Sequence, residues 1–238
     1  LIGVIQMFKT VDEAIHFIES QRAKRSFEDF QKIIERYQIP IDLKNVIHVA
    51  GTNGKGSTVT FIKDLLMKQG YHVGTFTSPY IIKHHERISV DGKPISDDDL
   101  LRFINRLLPL IQQEHLSMFE IDTLIMLYYF NELDLDYHII ECGIGGLHDK
   151  TNVIKSNVAV ITNIGYDHQF MLGDTLLEIA HHKVGIVKEN VSLFTTEQNK
   201  EILSYFKDYC TKHQSTFYPL QVEKQYQYPY HLHFHQKE

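Results

Sequence analysis

Cysteine is scarce: the chain of 238 residues holds two, Cys142 and Cys210. Their spacing supplies neither a disulfide framework nor a metal knuckle, so cross-links do not explain the fold. Long apolar runs are also missing. The hydrophobic stretches are short and interrupted, and the opening LIGVIQMFKT is too brief for a signal segment or a membrane span. These absences set the expectation of a soluble, cytoplasmic protein with no membrane partner. Excess positive charge is lacking too, since 24 Lys and Arg against 30 Asp and Glu leave a net charge of −6. The clustered cations that bind a phosphate backbone are not found, which sets aside nucleic acid and favours small-molecule substrates. No internal repeat or low-complexity segment interrupts the chain. What is present is 43% hydrophobic and 23% charged residues, enough for a substantial core in one large domain or two modest ones.

Apolar periodicity predicts helices over about 11–21 and 27–37, then a strand in NVIHVA that runs into a Gly-rich turn. A helix follows in STVTFIKDLLMKQG, closing on Gly70, and a second strand in HVGTFT. The connection SPYIIKHHERISVDGKPIS is long and polar, a candidate binding loop. SDDDLLRFINRLLPLIQQEH opens on a capping serine and three aspartates, which complement a helix dipole, and Pro109 is expected to end or kink that helix. A further helix is expected over about 119–132, and others near 175–183 and 198–213 around a strand in VSLFTT. YHIIEC and NVAVITNI are apolar on both faces, as in a parallel sheet covered on both sides. Strands alternating with helices predict an α/β, mostly parallel, three-layer domain.

The stretch HVAGTNGKGSTVTFI carries the chemistry most plainly. It departs from G-x-x-x-x-G-K-[ST] at both ends, with Val49 where glycine is wanted and Gly56 inserted between Lys55 and Ser57. Gly51, Gly54 and Gly56 let an anion approach exposed amides at a helix N-terminus, Lys55 supplies a point charge, and Ser57 or Thr58 a hydroxyl. Taken alone, the stretch reads equally as a phosphate loop or as a Gly-rich strand-to-helix turn with an exposed lysine. A nucleotide site also needs a carboxylate for a hard cation, at the C-terminal end of a neighbouring strand. Glu141, ending YHII, and the hydroxyl of Ser78 in the TSPY turn are the candidates, each also readable as a simple strand end. Asp167 and His168 form a further polar cluster after a buried strand, although a single histidine is more often structural.

Together these segments resemble the folylpolyglutamate synthases and dihydrofolate synthases of the Mur ligase superfamily. The resemblance is carried, in order, by HVAGTNGKGST, TFTSPY, ERISVDGKPIS, MFEIDTLIMLYYF, ECGIGGLHDKTNVI, ITNIGYDHQFMLGDTLLEIA and HKVGIVK, over about residues 45–190. It implies a P-loop-type ATPase domain of the Mur ligase kind, with ATP and Mg2+ as cofactors. The implied reaction phosphorylates the carboxylate of a reduced folate or dihydropteroate, and L-glutamate displaces the phosphate to give an amide. It places Gly51, Thr52, Asn53, Gly54, Lys55, Gly56, Ser57 and Thr58 around the triphosphate, with Lys55 at the terminal phosphates and Asn152 in the stretch beside them. Ser78, Glu141 and His168 become metal ligands, and the loop from Ser78 towards Arg87 helps hold the pterin. Lys183 matches a lysine that is carbamylated in relatives; carbon dioxide reacts only with a neutral amine, so its charge must be disfavoured by burial or a neighbouring cation.

The chain departs from that pattern at Leu147 and His148, where GGLHDKTN replaces GGRLDATN, and at TSPY in place of TSPH. Losing a guanidinium near a phosphate site bears on activity or substrate preference. The family is about twice the length of one domain, so residues 1–238 are expected to form its ATP-binding domain, monomeric, without the C-terminal Rossmann-like domain that contacts glutamate. A cell-wall amino-acid ligase of the same architecture and a noncatalytic nucleotide-binding module are the alternatives. His231, His233 and His235 in the tail share one face of a strand, yet no carboxylate or cysteine completes a metal site. The pairs His84–His85 and His181–His182 are expected at the surface.

Overall fold

The computed structural model describes residues 7–220. In chain order the elements are α1 (Val11–Ser20), α2 (Phe27–Arg36), β1 (Val46–Ala50), α3 (Lys55–Lys68), β2 (Val73–Phe76), β3 (Ile88–Val90), β4 (Lys93–Pro94), α4 (Asp97–Glu114) and α5 (Met118–Asn131). They continue with β5 (Tyr137–Glu141), β6 (Val158–Ile161), α6 (Gln169–Leu172), α7 (Leu176–Val184), β7 (Ser192–Thr195), α8 (Lys200–Lys212) and β8 (Phe217–Pro219). Helix starts follow local chemistry: Ser26, Ser96 and Thr10 each accept a hydrogen bond from the amide three residues on. Among the described residues no helix is long and apolar enough to cross a membrane.

One eight-stranded sheet in the order β4-β3-β2-β5-β1-β6-β7-β8 organises these elements. Strands β2, β5, β1, β6, β7 and β8 are parallel, and β3 and β4 extend the β2 edge as an antiparallel hairpin. Alternate residues feed opposite faces. Val49 and Ile139 pack with Val59 of α3, whereas Val46 and Ile140 join the cluster with α4 and α5, and Ala50 and Ala159 the cluster with α7 and α8. Helices therefore cover both faces, as the doubly apolar strands require. β1 lies at the centre, and the chain leaves it first towards β2 and later crosses to β6. Reversals of strand order of this kind open a crevice at the C-terminal ends of the strands.

Two local expectations change. α4 continues through Pro109 to Glu114 and does not stop there; proline forfeits one helical hydrogen bond, while buried Leu107, Leu108 and Ile111 around it hold the turns in place. The long polar connection is also more ordered than a loop. It holds a 3-10 turn at His84–Arg87 and the β3–β4 hairpin, whose tip Asp91–Gly92 has positive φ at both residues, the signature of a tight two-residue hairpin turn.

Candidate nucleotide and metal site

Four adjacent strands, β2, β5, β1 and β6, deliver the candidate residues to one edge of the sheet. The Gly51–Gly54 turn links the end of β1 to α3, with Gly51 at φ 144° and Gly54 at φ 80°. A Cβ at Gly51 would lie 1.8 Å from Thr162 Oγ1, so the turn tolerates only glycine there. Gly54 caps α3 without a side chain, which leaves the helix's first amides available to an anion. The TNIG segment after β6 clasps the turn. Thr52 N–H donates to the Asn163 carbonyl at 2.9 Å and Asn53 N–H to Asn163 Oδ1 at 3.0 Å. Thr162 Oγ1 donates to the Asn53 carbonyl at 2.6 Å, and Thr52 Oγ1 exchanges hydrogen bonds with the backbone of Gly165.

Beside this loop lies a cavity of about 570 Å³ lined by Gly54, Gly56, Ser57, Ser78 and Glu141 among others. Glu141, buried at the end of β5, accepts from the Ser78 amide at 3.2 Å. Burial pushes its carboxyl up to about 7, against the opposing pull of the Lys55 charge. Lys55 Nζ folds back to donate to the Gly51 carbonyl at 3.1 Å. Lys183, 2% exposed on α7, donates to the same carbonyl at 2.8 Å. Burial first, then the neighbouring Lys55 charge, brings the Lys183 amine down to about 8. Both conditions that the sequence sets for a neutral amine at Lys183 are thus met by its surroundings.

Gly51 to Thr58, Lys55, Lys183, Ser78 and Glu141 all gather at this edge. His168 takes the left-handed N-cap of α6, where its ring lies 3.4 Å from Asp167 Oδ1 and against Phe170. Among the described residues no three His, Cys, Asp or Glu side chains are close enough together to hold a metal ion. Asn152 is 2% exposed and donates through Nδ2 to the carbonyls of Leu147 and Gly185 at 3.0 and 3.2 Å. It therefore ties the GGLHD segment to the end of α7. Leu147, the departure from arginine, packs where a Cβ on Gly185 would fall 2.4 Å from its own. His148 stacks edge-on against His182.

The histidine pairs divide. His181 is exposed and His182 half-buried, but His84 and His85 are buried, contrary to expectation. The reason is that carboxylates meet them: Glu19 and Asp122 at His84, and Asp97 Oδ1 2.9 Å from His85 Nε2. The three tail histidines lie outside the described residues. Both cysteines are buried and free.

Several residues that matter here are not legible from the phosphate-loop pattern. Asp149, buried, accepts from the Gly143 and Ile144 amides at 2.9 and 3.0 Å and from Thr151, fixing the turn behind Glu141. Thr151 Oγ1 in turn meets His48 Nε2 at 2.9 Å; burial, aided by the Lys188 charge, drives that imidazole down to about 3, so it is neutral. Glu197 braces the β6 exit by accepting from Ile164 N–H at 2.6 Å. The signal for Thr162 and Asn163 was available in the polar TN pair that follows a strand beside β1.

A second cavity, about 630 Å³, opens beyond the TSPY turn and is lined by Arg22, Arg87, Met118 and Phe119. Pro79 and Tyr80 line both cavities. Arg87 is buried with Nε and Nη1 lacking hydrogen-bond partners among the described residues.

Residues 49–237 match the Mur ligase middle domain. The chain belongs to the Mur ligase family. Within it, the dihydrofolate synthase/folylpolyglutamate synthase of Bacillus subtilis strain 168 is 43% identical over 197 residues, covering 80% of this chain and 46% of that one. An FPGS-AMPPCP-folate complex superposes on this Mur ligase domain with a TM-score of 0.82 at 32% identity, over 88% of this chain and 54% of the other. A bifunctional folylpolyglutamate synthase/dihydrofolate synthase with Mn, AMPPNP and L-glutamate gives 0.77 at 26% identity, over 91% and 53%. The Mur ligase domain described here thus spans about half the length of these relatives.

Proposed function

We propose that this chain carries the nucleotide- and pterin-binding part of an ATP-dependent ligase that joins L-glutamate to a reduced folate or dihydropteroate. The observation that carries the reading is the arrangement at one sheet edge: the open N-terminus of α3 and the buried carboxylate of Glu141 line one cavity, with Lys55 on the same turn, and Pro79 and Tyr80 wall that cavity off from a second. The first cavity suits a triphosphate, because the open amides at the start of α3 border it and Lys55, held on the Gly51 carbonyl, belongs to the same turn. The second suits a planar heterocycle with carbonyl edges, having aromatic walls and an Arg87 guanidinium short of partners. The relatives' AMPPCP, folate and L-glutamate support the same assignment.

The reaction requires a poor acyl donor, a carboxylate, to be converted to an acyl phosphate with release of ADP. The glutamate amine then attacks the acyl carbon and phosphate leaves. In this chain the amides of α3 and Lys55 hold and orient the terminal phosphates, where charge spreads during transfer. Glu141 and the Ser78 hydroxyl are the hard oxygen donors that would hold a magnesium ion; a carboxylate whose charge is opposed by burial fits that role, since a cation replaces its proton. Bound there, magnesium would neutralise phosphate charge. His168 is the third proposed ligand on the strength of the resemblance. Lys183 as the neutral amine would add carbon dioxide at Nζ, losing one proton and becoming an anionic carbamate beside Lys55. A monomer in the cytoplasm is the state proposed.

The test supplies the full-length protein with magnesium, ATP, L-glutamate and either dihydropteroate or tetrahydrofolate, and looks by mass spectrometry for a product one glutamate heavier. Product that requires Lys55 is expected, and the accepted pterin names the activity. Bound magnesium-ATP with no glutamylated product from either pterin contradicts the reading.

A further inference from the structure

The loop from Ser78 to Arg87 forms the wall between the two cavities, and its tip is held by internal hydrogen bonds. Glu86 accepts from the amides of Ile81, Ile82 and Lys83, while Ile81 and Ile82 stay 91% and 79% exposed. Besides the Ser78 amide on Glu141 and His85 beside Asp97, what ties this segment to the body of the domain is a cluster around His84. Its Nδ1 lies 3.0 Å from Glu19 Oε1 on α1, and its Nε2 lies 2.9 Å from Asp122 Oδ1 on α5. Tyr80 OH donates to the same Glu19 oxygen at 2.9 Å, and Arg87 Nε is 3.5 Å from Asp122 Oδ2.

The geometry fixes the protonation state. A neutral imidazole has one N–H and one lone pair, so with a carboxylate at each nitrogen one contact would set a lone pair against an anion. Only the imidazolium donates to both. We infer that His84 is a positioning residue: as an imidazolium it clamps the loop across α1 and α5, sets the wall of the pterin cavity, and makes pterin affinity depend on its charge. The substrate half of this inference rests on the folate-ligase reading; the clamp does not.

Every charged group that faces His84 bears on the sign. Burial opposes the charge, Asp122 and then Glu19 favour it, and Arg87 opposes it; the carboxylates prevail, and the imidazole is held above its ordinary value. A raised histidine gives a clamp that is complete below the ordinary histidine range, and lost as pH rises through the raised value. Pterin binding should therefore weaken towards alkaline pH.

The experiment uses the full-length protein. Nitrogen-15 spectra follow the His84 ring from about pH 6 to 9, amide exchange follows residues 79–87, and KM is measured for the pterin substrate and for ATP over the same range. The expected result is a ring protonated at both nitrogens at neutral pH, and loop exchange that speeds up as it deprotonates. KM for the pterin should rise about tenfold over that step while kcat changes less than about twofold. His84→Gln, which can donate only one of the two bonds and carries no charge, should raise the pterin KM at every pH and flatten its profile, with a smaller effect on the ATP KM. Asp122→Asn, which keeps the ring but removes one anion, should move the step to lower pH. A His84 ring titrating in the ordinary range with unchanged loop exchange overturns the clamp, and so does a His84→Gln enzyme with the wild-type KM profile. Normal clamp behaviour in a protein that takes no pterin overturns the folate reading and the affinity half of the inference, with the clamp left standing.

Discussion

Two regions of this domain bury charge, and they do so in opposite ways. At the end of β5 and on α7, Glu141 and Lys183 are enclosed with too few partners: burial draws the acid up to about 7 and the amine down to about 8, each towards its neutral form. Around His84 the same degree of enclosure comes with opposite charges in contact on both sides, and the histidine is held towards its charged form. Desolvation acts in both places; what differs is whether the chain supplies the counter-charge. Where the chain supplies the counter-charge, as at His84, the fold itself holds the charged form in place. A region that buries a carboxylate and an amine without completing them is suited to a bound ligand, which under the proposed function is phosphate and a hard cation.

Substitutions at equivalent positions in the two regions should therefore act with opposite sign. The largest change in stability is expected at the paired cluster. Asp122→Asn leaves His84 and Arg87 short of an anion and should destabilise the fold by about 3 kcal/mol, measured by denaturant unfolding. At the unpaired edge Lys55→Ala should barely alter unfolding but weaken magnesium-ATP about a hundredfold, read by calorimetry, because charge-assisted bonds to the phosphates are lost. Glu141→Gln should do what Asp122→Asn does not: raise the stability of the nucleotide-free chain at pH 8 by about 2 kcal/mol, since the raised carboxyl must ionise at a cost there, while lowering metal-dependent nucleotide affinity. Smallest is Asn152→Ala, which removes two bonds to backbone carbonyls and should cost about 1 kcal/mol with little effect on nucleotide binding. Near-wild-type magnesium-ATP affinity in Lys55→Ala, or loss of stability in Glu141→Gln, would break the comparison.

The unpaired edge was the more legible of the two in the sequence. The GTNGKGS turn, Glu141 and Ser78 each follow an apolar strand directly, so a correct strand assignment places them at one sheet edge without further information. Lys183 needed the resemblance, since a lysine in a helix does not reveal its burial. The His84–His85 pair reads as surface because its partners are remote: Glu19 is 65 positions from His84 and Asp122 is 38 positions away. Helix burial sets which carboxylate reaches which imidazole, and one-residue patterns do not carry that. Pro109 and the β3–β4 hairpin teach a related point. Packing of Leu107, Leu108 and Ile111 carried α4 past a proline, whereas Asp91–Gly92 was a local turn signal that the length of the connection obscured. Asp149 and the Thr162–Asn163 pair went unread because they hold backbone groups in place and belong to no nucleotide-contact pattern.

The measurement that tests the account most directly follows unfolding free energy between pH 5 and 7, with and without magnesium-ATP, in the wild type and in Glu141→Gln. A carboxyl raised in the folded state contributes stability that is whole below the ordinary glutamate range and is lost as pH rises towards about 7. The account predicts that the nucleotide-free wild type loses stability across this window, that Glu141→Gln does not, and that magnesium-ATP abolishes the loss in the wild type alone. Parallel profiles for the two proteins, or a wild-type profile that magnesium-ATP leaves unchanged in slope, would contradict the claim that this edge buries its charge for a bound cation and phosphate.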